Sequence, residues 1–130
     1  MQKVYLLVED YVDRIMQQPQ FHKLMLREEM VNKENPISLL ICETKTRNLE
    51  AIKKLIHEGQ KNGEFRKNID ISMMMTTLIG TIIQLMTTKH FYKKINHLED
   101  MPEEEFIQHI KKKLIHHLKT LFKASLTYEA

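Results

Sequence analysis

The sequence predicts an all-α fold, and three observations carry that reading. Glycine and proline are scarce, three of each in 130 residues, while Leu, Ile, Met, Lys and Glu are abundant; such a composition leaves little material for turns and favours a few long helices. Apolar residues recur at i, i+3, i+4 and i+7 along most of the chain, the spacing of one helix face. Helix start signals stand at Pro19, Asn35-Pro36, Asp70 and Pro102-Glu103, each ahead of such a periodic run. Together these place about five to six helices in one domain over residues 1–130, long enough to bury a single core without staples.

The first helix is expected over residues 4 to about 17, with Val4, Leu7, Val8, Tyr11, Val12 and Ile15 on one apolar arc and Pro19 ending it. A second begins near Pro19 and carries Phe21, Leu24, Met25 and Met30 before its pattern fades at Asn32. Asn35 as cap and Pro36 at the first helical position open a third segment. One long helix and a shorter helix followed by a longer one both fit from there, with the balance favouring a break near Glu43. The helix over residues 71 to about 93 differs in kind. Met74, Met75, Leu78, Ile79, Ile82, Ile83, Leu85 and Met86 sweep nearly half its circumference beside a small-residue strip of Thr76, Gly80 and Thr87. So wide an arc requires burial on two sides, and a second copy of the chain is expected to supply one of them. The last helix, residues 102 to about 122, opens on Pro102 and three glutamates that suit the positive end of the helix dipole, and it carries Phe106, Ile110, Leu114 and Leu118 on one stripe.

Between the third segment and the wide helix lies the most specific feature, EGQKNGEFRKNIDI. Leu49, Ile52, Leu55 and Ile56 share one helix face that Gly59 continues, and Gly63 falls where the helix needs a C′ residue at positive φ. Phe65 is placed to fold back as the accompanying hydrophobic contact, and Asp70 to cap the next helix. Gly59, Gly63, Phe65 and Arg66, followed by Asp70 and an apolar helix, resemble the turn that precedes the last two helices in the C-terminal regulatory domain of TetR-type transcriptional regulators. The motif covers the last two-thirds of the chain, and the helix order covers all of it. MQKVYLLVEDYVDRIMQQ departs from the family's opening, because it shows no tight three-helix pattern with a Gly turn and resembles the family's linker helix instead.

The resemblance implies a homodimer held by a four-helix bundle of the last two helices, a small and largely apolar effector bound among the middle helices, and DNA binding only through an N-terminal helix-turn-helix absent from this chain. The interface residues implied are Thr76, Gly80, Ile83, Thr87, Phe106, Ile110, Leu114 and Leu118. The effector pocket implied is lined by Phe21, Met25, Ile41, Lys45, Leu49, Met74 and Leu78. Lys45 lies on the arc of Ile41, Leu49 and Ile52, so it either reaches out to solvent or presents a cation to an acidic ligand.

Composition narrows the remaining classes. The net charge of +3 comes from lysines interleaved with acids, an ordinary solvated surface and not a nucleic-acid footprint. A single cysteine in an apolar run, no signal-peptide order and no run of apolar residues long enough to span a bilayer point to a cytoplasmic protein with no membrane partner. Seven histidines invite a metal reading, but His116 and His117 diverge by about 100° and His109 lies two turns from His116, so neither metal nor cofactor is expected. No catalytic or phosphate-binding motif is present, and an enzyme is not expected. The competing class is a stand-alone helical interaction module that docks a partner protein and takes no ligand.

Overall fold

A computed structural model describes residues 1–31 and 36–127, with the side chains of Ile37, Ser38 and Ile41 outside that description. Among the described residues there are six helices and no strand. They are α1 (Gln2–Gln17), α2 (Pro19–Val31), α3 (Pro36–Lys61), α4 (Ile71–Thr87), α5 (Lys89–Ile95) and α6 (Glu103–Thr127).

The core is built by the stripes the periodicity marks. Val4, Val8, Val12 and Ile15 of α1 meet Leu114, Leu118, Phe122 and Leu126 of α6, with Ile52 and Ile56 of α3 and Leu78, Ile82 and Met86 of α4 completing the cluster. α1 lies along α6, and α4 crosses α1, α3 and α6. The α1–α6 seam is closed at its rim by ion pairs from Lys111 to Asp13, at 2.6 Å, and from Lys119 to Glu9.

The turn after α3 has the geometry its glycines predict. Gly63 sits at φ +79°, its N–H donates to the Gln60 carbonyl at 3.1 Å, and the Glu64 N–H donates to the Gly59 carbonyl at 2.9 Å. That pair of bonds is the Schellman closure of a helix. Asp70 caps α4, its Oδ1 accepting from the Met73 N–H at 3.0 Å. The Asn35 cap falls outside the described residues.

Three expectations are corrected. α3 is one continuous helix with no break at Glu43; Thr44 and Thr46 donate their hydroxyls to the Leu40 and Cys42 carbonyls, so these β-branched residues ride the helix without interrupting it. The helix expected to reach residue 93 instead stops at Thr87, and α5 leaves it at 76°. Thr88, whose hydroxyl donates to the Gln84 carbonyl at 2.7 Å, marks the bend. α6, expected to end near residue 122, runs on to Thr127, because Arg66 supplies partners for its final carbonyls: its Nε donates to the Ser125 carbonyl at 2.7 Å and its backbone N–H to the Leu126 carbonyl at 2.8 Å.

Candidate functional site

Two surfaces collect the residues expected to act. The first is the outer hairpin of α2 and the N-terminal half of α3. α2 buries none of its residues, and Phe21, Leu24, Leu26, Met30, Val31, Leu39 and Leu40 are all exposed on this hairpin. These are seven of the eleven large apolar side chains exposed among the described residues, so the apolar surface is concentrated where a ligand or partner could cover it. The Phe21 ring stands edge-on to the His22 ring with centroids 5.6 Å apart. Burial lowers the His22 pKa, favouring the neutral ring.

Of the residues expected to line a pocket, Phe21 is exposed while Met25, Leu49 and Met74 are half-buried. Ile41 lies outside the described side chains. Leu78 is a correction, since at 1% exposure it fills the core and presents no surface to a ligand. Lys45 resolves its two alternatives in favour of solvent: its Nζ projects outward and pairs with Glu29 Oε2 of α2 at 2.6 Å. That ion pair fastens α2 to α3 and supplies a counter-charge, so Lys45 is no open cation for an acidic ligand. Two surface clefts lie elsewhere. One of about 400 Å³ is framed by Lys3, Leu55, Glu58, Asn62, Glu64 and Phe65 among others, and one of about 490 Å³ runs between α1 and α6 beside Leu6, Asp10 and Ile115. Among the described residues no three His, Cys, Asp or Glu side chains gather where they could hold a metal ion.

The second surface is the outer face of α4. Leu78, Ile82 and Met86 point into the core, while Thr76, Gly80 and Thr87 are exposed and Ile83 is half-buried. A Cβ built on Gly80 meets nothing within 4 Å, so no neighbour in the protomer accounts for the missing side chain. The four α6 residues expected at the same interface are corrected. Phe106, Ile110, Leu114 and Leu118 are buried in the protomer: Leu114 and Leu118 share a core cluster with the apolar stripe of α1, and Phe106 lies against Tyr92 and Lys93 of α5. Periodicity identified the apolar face of α6 but not the element that covers it.

Sequence reasoning missed two contributors. α5 turns two of its three lysines inward: Lys89 and Lys93 each reach a Glu103 oxygen at 2.7 Å, and the Lys93 ammonium lies 4.5 Å from the Phe106 ring centroid. Hydrogen bonds from Lys89 and Lys93 hold the Glu103 pKa down to about 2. The bend at Thr88 makes this possible, and no Gly or Pro announces it. The other is the close approach at Gly59, a residue named in the motif but without this role: an added Cβ would fall 2.2 Å from the Phe65 ring, so the paired glycines serve different needs, close approach at Gly59 and positive φ at Gly63.

The sequence profile of the tetracyclin repressor-like, C-terminal domain family matches residues 1–118, and the chain belongs to that family. No curated protein and no solved structure matches it. Its all-α architecture agrees with that family. No single helix among the described residues is long and apolar enough to cross a membrane.

Proposed function

We propose that this chain is the effector-sensing and dimerisation domain of a TetR-type transcriptional regulator, acting on DNA only through an N-terminal helix-turn-helix. The effector is small, largely apolar and uncharged, and it docks on the exposed hairpin of α2 and the first half of α3. The observation that carries this reading is the family match joined to the exposed apolar hairpin, in which no residue of α2 is fully buried. A ligand that covers Phe21, Met25 and Leu40 favours the arrangement in which α2 and α3 close on it, and a ligand shifts an equilibrium only by such a difference in affinity. Two chains pair through the outer face of α4, so a change in either pocket alters the spacing of two recognition helices. The Lys45–Glu29 pair argues against an acidic ligand, since an anion would have to displace Glu29.

The exposed hairpin also favours a second reading, a module that docks a partner protein on the same face. Titration with Nile red, a neutral apolar dye, separates the two. Saturable binding stoichiometric with protomer, abolished by Phe21→Asp and Met25→Asp but kept by Leu6→Asp on α1, supports a ligand site. Non-saturable dye uptake insensitive to those substitutions leaves only the protein-docking module.

A further inference from the structure

α5 turns two of its three lysines inward and two of its large apolar side chains outward. Lys89 and Lys93 are drawn inward onto Glu103, with Lys93 only 13% exposed, while Phe91 and Ile95, one turn apart, project to solvent at 64% and 56% exposure beside the exposed His90 and Lys94. Two ion pairs and the Lys93 contact with Phe106 fix this orientation, so the outward apolar pair is presented by an anchored element. We infer that Phe91 and Ile95 of α5 are an interface arm that packs on a second copy of this chain.

The inference rests on the proposed dimer, and the area available to that dimer selects the occupant. The outer face of α4, a 17-residue helix, is a strip about 25 Å long and about 10 Å wide. That is well short of the roughly 800 Å² each partner buries in a stable interface. α6 cannot supply the difference with apolar surface. Its central stripe is buried in the protomer, its flanking Ile107, Ile115 and Leu121 are half-buried, and its exposed face carries Lys112, Lys113, His116, His117 and Lys123. α5 follows Thr87 directly and carries the next large exposed apolar side chains. At 64% exposure, Phe91 can add up to about two-thirds of the roughly 150–250 Å² that a buried aromatic side chain removes from water, and Ile95 adds to it.

The chain has no tryptophan, so Phe91→Trp creates a lone emission reporter on α5, with Leu24→Trp on α2 as the comparison. The expected result is that emission of the Phe91→Trp variant shifts to the blue in step with dimer formation measured by sedimentation, while emission of the Leu24→Trp variant does not move. Phe91→Ala should raise the dimer dissociation constant at least about tenfold while leaving the melting curve of the dilute protomer unchanged. A dimer in which the indole at position 91 stays solvent-like, and whose affinity survives Phe91→Ala within twofold, overturns the α5 arm but leaves the dimer intact. A parent chain that stays monomeric at high micromolar concentration overturns the arm and the proposed dimer together.

Discussion

At the scale of single residues, the two glycines of the α3–α4 turn carry the most. Gly63 has open space around its Cα, so Gly63→Val fails for one reason, the positive φ, and should cost roughly 1–2 kcal/mol or more in thermal or denaturant melts. Gly63→Asn should lose less, because asparagine tolerates the left-handed region. Gly59 behaves oppositely, with no φ requirement and no room. Gly59→Ala should destabilise by about 1–3 kcal/mol through overpacking on Phe65. In a Phe65→Ala background the same change should become neutral or stabilising, since alanine is the better helix former by about 1 kcal/mol. A double-mutant cycle that finds the two substitutions additive would refute the contact. The turn was legible because Schellman closure needs a residue at positive φ followed by a hydrophobic contact. The full demand of that contact was not, because spacing placed Phe65 toward Leu55 and Ile56 without revealing that the ring needs the vacancy at Gly59.

At the scale of elements, the helix starts were legible and the bend was not. Pro19, Asp70 and the Pro102-Glu103 pair lie at starts found in the structure, since each signal acts through backbone chemistry within one turn. The bend at Thr88 depends on a hydroxyl bonded to the Gln84 carbonyl and on Lys89 of α5 finding Glu103 fourteen residues away, a tertiary event with no local mark. Glu103 gives this element a pH signature. Its folded pKa of about 2 lies below the ordinary carboxylate value of 4.5, so its stabilisation is fully present above about pH 4.5 and is lost as pH falls through the interval toward 2. Glu103 is half-exposed, and solvent screening holds the effect to about 1 kcal/mol or less. Glu103→Gln should therefore lower neutral stability by up to that amount and flatten the acid limb, with variant and parent converging at low pH, and an unchanged acid limb would show that Lys89 and Lys93 do not hold α5 in solution. At the other end of α6, Arg66→Ala should speed amide exchange over residues 122–127, because it removes the side-chain donor to the Ser125 carbonyl. Protection unchanged from the parent would mean that α6 holds its last turn without Arg66.

At the scale of the whole molecule, the all-α class and the core stripes of α1, α3 and α4 followed from periodicity. The covering partner of each stripe did not. A wide apolar arc on α4 and a narrower one on α6 read alike as interface in sequence, yet α1 and α5 claim the α6 stripe and leave α4 with an uncovered face. The candidate pocket was legible only as a region: Phe21, Met25, Leu49 and Met74 remain accessible, while Leu78 joined the core. With positive charge dispersed over the surface, the isolated chain should bind duplex DNA weakly and without sequence preference, and that binding should collapse with added salt. Sequence-selective binding that survives physiological ionic strength would contradict a domain that reaches DNA only through a helix-turn-helix. The most direct test of the proposed dimer is sedimentation equilibrium of the parent and of Gly80→Leu at micromolar concentration. A Cβ at Gly80 meets nothing within 4 Å in the protomer and leucine improves helix propensity, so the protomer should stay folded while a closely approaching partner helix is excluded. A dimeric parent and a folded, monomeric Gly80→Leu variant are the expected result; a monomeric parent, or a variant that dimerises as tightly as the parent, would contradict pairing through the α4 face.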